Sequence, residues 1–335
     1  MRILRADDVR AAVAMPQAIA SMRAAFAQMA QGAAHMPERV AVSVPEQAGT
    51  TLVMPAYLAR EPALGMKVVS VFPRNGERGL PTVPAMVLLL NAETGLPLAL
   101  LEGTYLTALR TGAASGLATD LLARPDARVM TLFGAGGQAP FQLEAVCQVR
   151  RIERAWLVNR TPERSEALRE RVLGWQEWRP GEVLVSRTAA EQRQAVEEAD
   201  VIATATAATE PLFPGEWVCA GTHLNLIGAF TPHMREVDGA LVRRARVVVD
   251  QRAAALAGAG DLLLAMREGL FAPEAIDAEL GEVVMGSKAR RTDPAEVTIF
   301  KSVGVATQDV AVASAAYQEA RRRGLGVDID LYATP

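Results

Sequence analysis

Hydrophobic positions recur at helical spacing over the first thirty or so residues, and the pattern then changes to short apolar runs separated by turn residues. Pro16 divides the helical stretch from Asp7 to Gln31 into a short helix and a longer one, because proline fits only the first turn of a helix. A long helix of Ala, Leu and Gly is predicted at Thr104–Leu122. Strands are predicted at Arg39–Val44, Thr51–Met54, Gly65–Val71 and Ala85–Asn91. This part of the chain therefore predicts an open sheet with flanking helices.

After Pro125 strand-like and helix-like stretches alternate, with predicted helices at Thr161–Leu173 and Glu191–Glu198. The predicted strands are Arg128–Phe133, Ala155–Val158, Asp200–Thr204, His223–Ile227, Arg246–Asp250 and Val297–Phe300. Such alternation implies right-handed crossovers and a mostly parallel sheet. A further helix is predicted at Val305–Arg323, and we expect it to pack on the first domain.

The predicted fold class is α/β with two domains, which is also the default for 335 residues. A Rossmann-type doubly wound parallel sheet is expected at 123–302. A second α/β domain is expected at 1–122. The C-terminal segment 303–335 joins that second domain.

The charge pattern argues against several classes of partner. The formal net charge is −3, and nucleic-acid-binding proteins usually carry a basic excess or stripe, so we expect no nucleic-acid partner. No apolar stretch reaches the about 18 residues of a membrane span, and the charged N-terminus lacks the apolar core of a signal peptide. Cys147 and Cys219 lie in apolar segments without metal-ligand spacing. We expect two buried reduced thiols, no metal site and a cytoplasmic protein.

A phosphate-binding motif follows the strand that ends at Phe133. The residues there are Gly134-Ala135-Gly136-Gly137-Gln138-Ala139, and a helix comes next, as the G-x-G-x-x-A pattern requires. The first glycine permits a tight turn, the second lets the backbone approach a pyrophosphate, and a small third residue lets helix and strand pack closely. Free amides at the start of the helix would then bind the diphosphate. The expected cofactor contacts in this domain include Gly134, Ala135, Gly136, Gly137, Gln138 and Thr204.

The end of the next strand predicts which dinucleotide binds. An acid at this position would bind the adenosine ribose and select NAD. This chain instead has Asn159, Arg160 and Thr161, with Arg164 one turn later. Guanidinium and hydroxyl groups suit a 2′-phosphate, although a helix-capping Thr161 followed by surface arginines would give the same residues. We therefore predict that NADP(H) is preferred over NAD(H).

Three cations in the first domain stand in apolar, strand-like or helix-like settings: Arg39, Lys67 and Arg110. A buried cation is costly unless an anion meets it. If the three converge, they form a carboxylate site; taken singly, each could equally be a surface residue or a paired charge. The sequence leaves their convergence open.

Five segments together resemble the ornithine cyclodeaminase/μ-crystallin family over essentially the whole chain. They are Met54-Pro55-Ala56-Tyr57, Gly65-Met66-Lys67-Val68-Val69, Leu106-Thr107-Ala108-Leu109-Arg110-Thr111-Gly112-Ala113, Gly134 to Ala139, and Ser302-Val303-Gly304-Val305-Ala306-Thr307-Gln308-Asp309. The family contains amino-acid cyclodeaminases, alanine dehydrogenases, cyclic ketimine reductases and NADPH-binding μ-crystallins. The resemblance implies that Arg39, Lys67 and Arg110 hold a substrate carboxylate and that Thr111 and Ser302 contact the cofactor. It also implies a homodimer built through the first domain, residues 1–122, which binds the substrate.

Two departures from the family pattern point to one branch. Ornithine cyclodeaminases carry an acid where this chain has Phe230, and a second acid where it has Leu52. Apolar side chains can neither deprotonate nor stabilise the ammonium group of a diamino acid. The sequence therefore predicts NADPH-dependent reduction of a small cyclic imino acid, Δ1-pyrroline-2-carboxylate or Δ1-piperideine-2-carboxylate. Lys67 and Arg110 would be the catalytic residues, because they orient the carboxylate, and Leu52 and Phe230 would form the apolar side of the ring pocket.

Three alternatives remain open at this point. An alanine dehydrogenase would need ammonia and pyruvate, and an ornithine cyclodeaminase would release ammonia. A μ-crystallin-like protein would bind NADPH without turnover. Among the other polar residues, His223 is expected in the core. His233 is expected to be a partly exposed loop residue, with a proton relay near pH 7 as the alternative. Asp309 is given no chemical role.

Overall fold

The computed structural model describes residues 1–177 and 179–331, which divide into two compact units. Unit 1 contains Met1–Arg110 and the chain from Val305 onward, and unit 2 contains Thr111–Gly304. The division falls inside the long helix, whose end the sequence interpretation used as the domain boundary.

The strands of the described residues fall into two sheets. In chain order they are β1 (Arg2–Leu4), β2 (Ala34–His35), β3 (Val40–Val44), β4 (Gly49–Leu58), β5 (Ala63–Val71), β6 (Ala85–Leu90), β7 (Pro97–Glu102), β8 (Val129–Phe133), β9 (Arg154–Val158), β10 (Glu182–Val185), β11 (Val201–Thr204), β12 (His223–Leu226), β13 (Arg246–Val249), β14 (Ile276–Glu279), β15 (Thr298–Lys301) and β16 (Val327–Asp328).

Helices accompany both sheets. They are α1 (Ala6–Ala12), α2 (Met15–Ala30), α3 (Gly103–Leu122), α4 (Ala139–Val149), α5 (Pro162–Leu173), α6 (Ala189–Glu197), α7 (Gly239–Arg244), α8 (Arg252–Gly258), α9 (Gly260–Arg267), α10 (Leu280–Met285) and α11 (Ala306–Arg323). Short 3₁₀ helices lie at Pro45–Gln47, Pro73–Arg78, Gly215–Trp217 and Pro273–Ala275. No helix among the described residues is both apolar enough and long enough to span a bilayer.

Unit 1 is built on a mainly antiparallel sheet. The strand order is β16-β1-β7-β6-β5-β4-β2, with β3 also paired to β4, and β1 runs parallel to β7. Helix α11 packs on β4, β5 and β6 and also against α1 and α2. This packing places the first turn of the C-terminal helix over the centre of the sheet.

Unit 2 is a parallel sheet in the order β10-β9-β8-β11-β12-β15-β13-β14. Successive residues along its strands enter two different apolar clusters; Leu132, for example, belongs to one and Phe133 to the other. A strand covered on both faces requires this pattern. From β8 the chain fills β9 and β10 on one side and then returns to β11 on the other. Ligands of such sheets bind outside the carboxyl ends of the strands at this switch point, here between β8 and β11.

The α/β fold class is confirmed, and each predicted strand is present with small shifts at its ends. The strand predicted at Thr51–Met54 is longer than expected because Pro55 does not end it. On one edge of β4, β3 pairs with residues up to Val53, and the pairing with β2 starts only at Tyr57. Pro55 therefore lies in a gap where no strand is hydrogen-bonded to that edge. Proline is tolerated at such edges. The sequence interpretation missed β1, β2, β7, β10, β14 and β16.

Candidate active site

The register of the unit 1 sheet shows where two of the predicted cations lie. Lys67 in β5 lies opposite Met54 in β4 and Val87 in β6. Val40 of β3 pairs with Val53, so Arg39, which immediately precedes β3, continues the register towards Met54. Residues directly opposite each other across strands share one face of a sheet. Arg39 and Lys67 therefore belong to one cross-strand row, with β4 between them.

Arg110, the third predicted cation, is linked to Lys67 through Asp309, an acid to which the sequence interpretation gave no role. Asp309, in the first turn of α11, has no exposed side-chain surface and pairs with two cations. Its Oδ2 lies 2.7 Å from Lys67 Nζ, and its Oδ1 accepts a hydrogen bond of 3.0 Å from Arg110 Nε. Gln308 Oε1 accepts a second hydrogen bond, of 2.6 Å, from Arg110 Nη1. Lys67 and Arg110 are thus paired charges, which was one of the alternatives left open.

The electrostatics of this cluster leave an excess of positive charge. Lys67 is only 2% exposed, and burial lowers the pKa of its ammonium group to about 8. The charge of Asp309 opposes that shift, while Arg110 and Arg39 add to it. The cluster contains three cations, of which two pair with its one carboxylate, so it can accept a further anion such as a substrate carboxylate.

The two predicted apolar pocket residues lie in different units. Leu52 is half-buried and pairs with Val69, two positions from Met54, so it shares the face that carries Lys67. Phe230 lies in the loop after β12 of unit 2 and is 39% exposed.

The glycine turn of unit 2 has the shape that a dinucleotide needs. Gly134 has φ +102°, and a Cβ at this position would lie 2.5 Å from the carbonyl oxygen of Ala205, just beyond β11. At Gly136 and Gly137 a Cβ would meet no atom within 4 Å. Helix α4 begins directly afterwards at Ala139. The turn therefore presents backbone to open space at the switch point, which is what a phosphate-binding turn requires.

The residues predicted to select the cofactor lie at the end of β9. Arg160 and Arg164 are exposed, and within residues 1–177 and 179–331 neither guanidinium is within ion-pairing distance of a carboxylate. Asn159 Nδ2 donates to the carbonyl oxygen of Thr161 at 2.9 Å. Thr161 is the N-cap residue of α5, but its side chain makes no capping hydrogen bond, so the purely structural alternative loses its main support. The next acid along the chain, Glu163, lies in the first turn of α5.

Two hydroxyl groups predicted to contact the cofactor already have partners inside unit 2. Thr204 Oγ1 donates to Glu236 at 2.7 Å, and Ser302 Oγ donates to Asp250 at 2.9 Å. Thr111, the third such residue, lies in the part of α3 that belongs to unit 2. The hydroxyl groups of Thr204 and Ser302 would bind a cofactor either while keeping these hydrogen bonds to Glu236 and Asp250 or by exchanging them for bonds to the cofactor.

Glu236 and Asp250 are buried acids that no sequence pattern marked. Glu236 accepts from the amides of Thr206 and Gly228 at 2.8 Å each and from that of Ala229 at 3.2 Å. Burial raises the pKa of the Glu236 carboxyl, and the same cause raises that of Asp250. Glu236 thereby ties the end of β11 to the loop after β12 that carries Phe230. Only the long-range contacts of the folded sheet reveal this role.

The histidines and cysteines lie outside these clusters. His223 is a core residue that bonds Thr298 and Asn225, and burial lowers its pKa to about 3. His233 is exposed in the loop. Cys147 is buried as expected, but the expectation for Cys219 was wrong: it is exposed, because it lies in the turn that leads into β12.

Comparison with known proteins places these residues in a family. The model of the ornithine cyclodeaminase/mu-crystallin family matches residues 1–324. A Δ1-pyrroline-2-carboxylate reductase of Bacillus cereus is 40% identical over 333 residues, covering 98% of this chain and 100% of the relative.

Solved structures with the same fold cover the chain almost completely. The Thermococcus litoralis Δ1-pyrroline-2-carboxylate reductase, in complex with NADH and L-proline, superposes with a TM-score of 0.92 at 40% identity, covering 98% of this chain and 100% of the other. An archaeal alanine dehydrogenase dimer with bound NAD gives a TM-score of 0.91 at 35% identity, with 99% of each chain covered.

Proposed function

We propose that this chain, which belongs to the ornithine cyclodeaminase/mu-crystallin family, reduces Δ1-pyrroline-2-carboxylate or Δ1-piperideine-2-carboxylate to proline or pipecolate. The protein is an oxidoreductase that acts on C=N bonds with a nicotinamide cofactor. The observation that carries the proposal is the cation cluster of unit 1. Lys67 and Arg110 are buried and paired with a single carboxylate, and Arg39 lies in the same cross-strand row as Lys67, so this excess of positive charge suits an imino-acid carboxylate.

The residues of the chain act by positioning. Lys67 and Arg110 bind the substrate carboxylate and so fix the adjacent ring carbon, while Arg39 adds to the positive field. A cyclic imine that binds already protonated at nitrogen needs no acid from the protein. When bound, the dihydronicotinamide supplies a hydride to that ring carbon, and the C=N electron pair moves to nitrogen, which gives the amine.

The pocket residues favour reduction over cyclodeamination. Leu52 shares the sheet face of Lys67, and Phe230 exposes its ring in the loop after β12. We propose that Leu52 contacts the apolar part of the imine ring; for Phe230 the same contact stays a prediction from the sequence. Neither side chain can accept a proton from a diamino acid or bind its ammonium group.

For the cofactor we propose NADP(H) in preference to NAD(H). Arg160 and Arg164 are free of ion pairs within the described part of the chain, and Thr161 keeps a hydroxyl that does not cap α5. Two guanidinium groups and a hydroxyl suit a 2′-phosphate. The proposed contacts of the rest of the dinucleotide are Thr111, Gly134, Ala135, Gly136, Gly137, Gln138, Asn159, Thr204 and Ser302.

We further propose a cytoplasmic homodimer in which residues 1–122 and 303–335 bind substrate and form the interface, and residues 123–302 bind the cofactor. The alanine dehydrogenase with the same fold is a dimer, which supports the dimeric state alone.

The test is a pair of assays on the purified protein. NADPH oxidation is followed with Δ1-pyrroline-2-carboxylate in one, and ammonia release from ornithine plus NAD⁺ in the other. We expect rapid NADPH oxidation with the imine and no ammonia from ornithine. Ammonia and proline from ornithine would contradict the proposal, as would turnover confined to pyruvate with ammonia. NADPH binding without turnover of any imine would favour the μ-crystallin-like alternative.

A further inference from the structure

The carboxylate of Asp309 divides its two oxygens between two cations that come from different parts of unit 1. Oδ2 is 2.7 Å from the ammonium of Lys67 in β5, and Oδ1 is 3.0 Å from Nε of Arg110 in α3. Asp309 itself lies in the first turn of α11 and is fully buried. Lysine and arginine side chains lose much rotamer freedom when they are ordered. One rigid acid therefore fixes the separation and direction of both cations.

Gln308 fixes the same guanidinium from a second direction. Its Oε1 accepts from Arg110 Nη1 at 2.6 Å, and since arginine has only donors, the oxygen of the amide must face it. The Nε2 of Gln308 is buried and has no hydrogen-bond partner among the described residues. With Nε held by Asp309 and Nη1 by Gln308, Arg110 cannot rotate without breaking both bonds. Its other N–H groups remain to serve an incoming carboxylate.

The negative charge of Asp309 has a second effect, because it favours the protonated form of Lys67. The charged groups that act on this ammonium are Asp309 from α11, Arg110 from α3 and Arg39 ahead of β3. Burial and the two arginines lower the pKa of Lys67 to about 8, and Asp309 alone among them opposes the shift. Without the Asp309 charge, Lys67 would lose its proton at still lower pH. A neutral amine would then face the substrate carboxylate in place of an ammonium.

We propose that Asp309 is a positioning residue for the reduction: its two ion pairs hold Lys67 protonated and Arg110 oriented, so that together they bind the substrate carboxylate. This inference rests on the proposed function. It adds a residue that acts through the two cations without touching substrate itself.

The experiment compares Asp309→Asn with Asp309→Glu. The first removes the charge and keeps the size, and the second keeps the charge and displaces the oxygens. Binding of the product L-proline at saturating NADP⁺ is measured by calorimetry, NADPH affinity by fluorescence, and kcat/KM for the imine across pH. Asp328→Asn is the matched control, because it removes an acid paired with Arg2 on the exposed edge of the same unit.

For Asp309→Asn we expect about tenfold weaker proline binding or more, because both buried ion pairs of Asp309 are lost, with NADPH affinity within about twofold of wild type. The alkaline limb of kcat/KM should move to lower pH. Asp309→Glu should bind proline more weakly than wild type but keep the wild-type alkaline limb. The control should match wild type in every measurement.

Two results would overturn the inference. One is Asp309→Asn with wild-type proline affinity and an unchanged alkaline limb. The other is equal loss of proline and NADPH binding, which would indicate general damage to the fold. If Asp309→Asn does not fold, Asp309→Glu decides alone, and wild-type proline affinity in that variant defeats the idea. Failure of the proposed function is separate, because it appears as a wild-type protein that reduces no imine.

Discussion

Gly134 lies so close to Ala205 that a Cβ on the glycine would stand 2.5 Å from the alanine carbonyl oxygen. The φ of +102° at Gly134 adds a backbone conformation that other residues rarely adopt. We therefore expect Gly134→Ala to lower the free energy of unfolding by about 1–3 kcal/mol and to lose NADPH binding. Chemical denaturation and fluorescence titration measure the two effects. A variant with wild-type stability would contradict this description of the turn.

Gly136 gives the opposite expectation for stability. A Cβ at this glycine meets nothing within 4 Å, so Gly136→Val should fold with wild-type stability. It should nevertheless bind NADPH at least about tenfold more weakly, because its side chain occupies the space that the backbone offers a pyrophosphate. Gly174→Ala, in the same unit and without a close contact, is the control for adding a Cβ. Normal NADPH affinity in Gly136→Val would place the diphosphate elsewhere.

Cofactor preference is expected to depend on Arg160 and Arg164. Removing both guanidinium groups in Arg160→Ala/Arg164→Ala should lower kcat/KM for NADPH by about tenfold or more, since charge-assisted bonds to phosphate are lost. The value for NADH should stay nearly unchanged, because NADH lacks the 2′-phosphate. Arg171→Ala serves as the control, because Arg171 lies in the last turn of α5, the helix that also contains Arg164. An equal loss with both cofactors would contradict the proposed preference.

Acid sensitivity of the fold should depend on His223. Burial lowers its folded-state pKa from 6.5 to about 3, so between these values the unfolded chain binds the extra proton. The free energy of unfolding must then fall as pH drops below about 6.5. His223→Asn should flatten this dependence between pH 6.5 and 4, measured by urea denaturation, even if it is less stable throughout. His233→Asn, in the exposed loop, should keep the wild-type slope.

The two thiols are expected to react very differently. Cys219 is exposed, whereas burial raises the pKa of Cys147 to about 12. The native protein should therefore show one accessible thiol towards a disulfide reagent, and Cys219→Ser should abolish the reaction. Two fast thiols would indicate that α4 opens readily in solution.

Much of the fold was predictable because the relevant signals are local. The alternation of strand and helix patterns predicted the parallel sheet of unit 2. The motif around Gly134, a strand followed by a glycine turn and a helix, predicted the location of its switch point. The short edge strand β10 carries too little periodicity for such recognition, and Cys219 was misplaced because an apolar neighbourhood in sequence does not fix burial.

The candidate site was less predictable because its key contacts are long-range. Lys67, Arg110 and Asp309 meet only when α11 packs on β5 and α3 follows β7, and their separation in sequence hides this. Glu236 likewise acts through amides on two strand ends. The sequence identified the cations, but their common partner is a property of the fold.

The most direct test of the central claim follows the hydride itself. The protein is given Δ1-pyrroline-2-carboxylate with NADPH deuterated at both C4 positions of the nicotinamide, and the product is analysed by mass spectrometry and NMR. We predict proline with one deuterium at its α-carbon. Proline without deuterium, or no proline while NADPH is still bound, would contradict the proposal that this chain reduces a cyclic imino acid by direct hydride transfer.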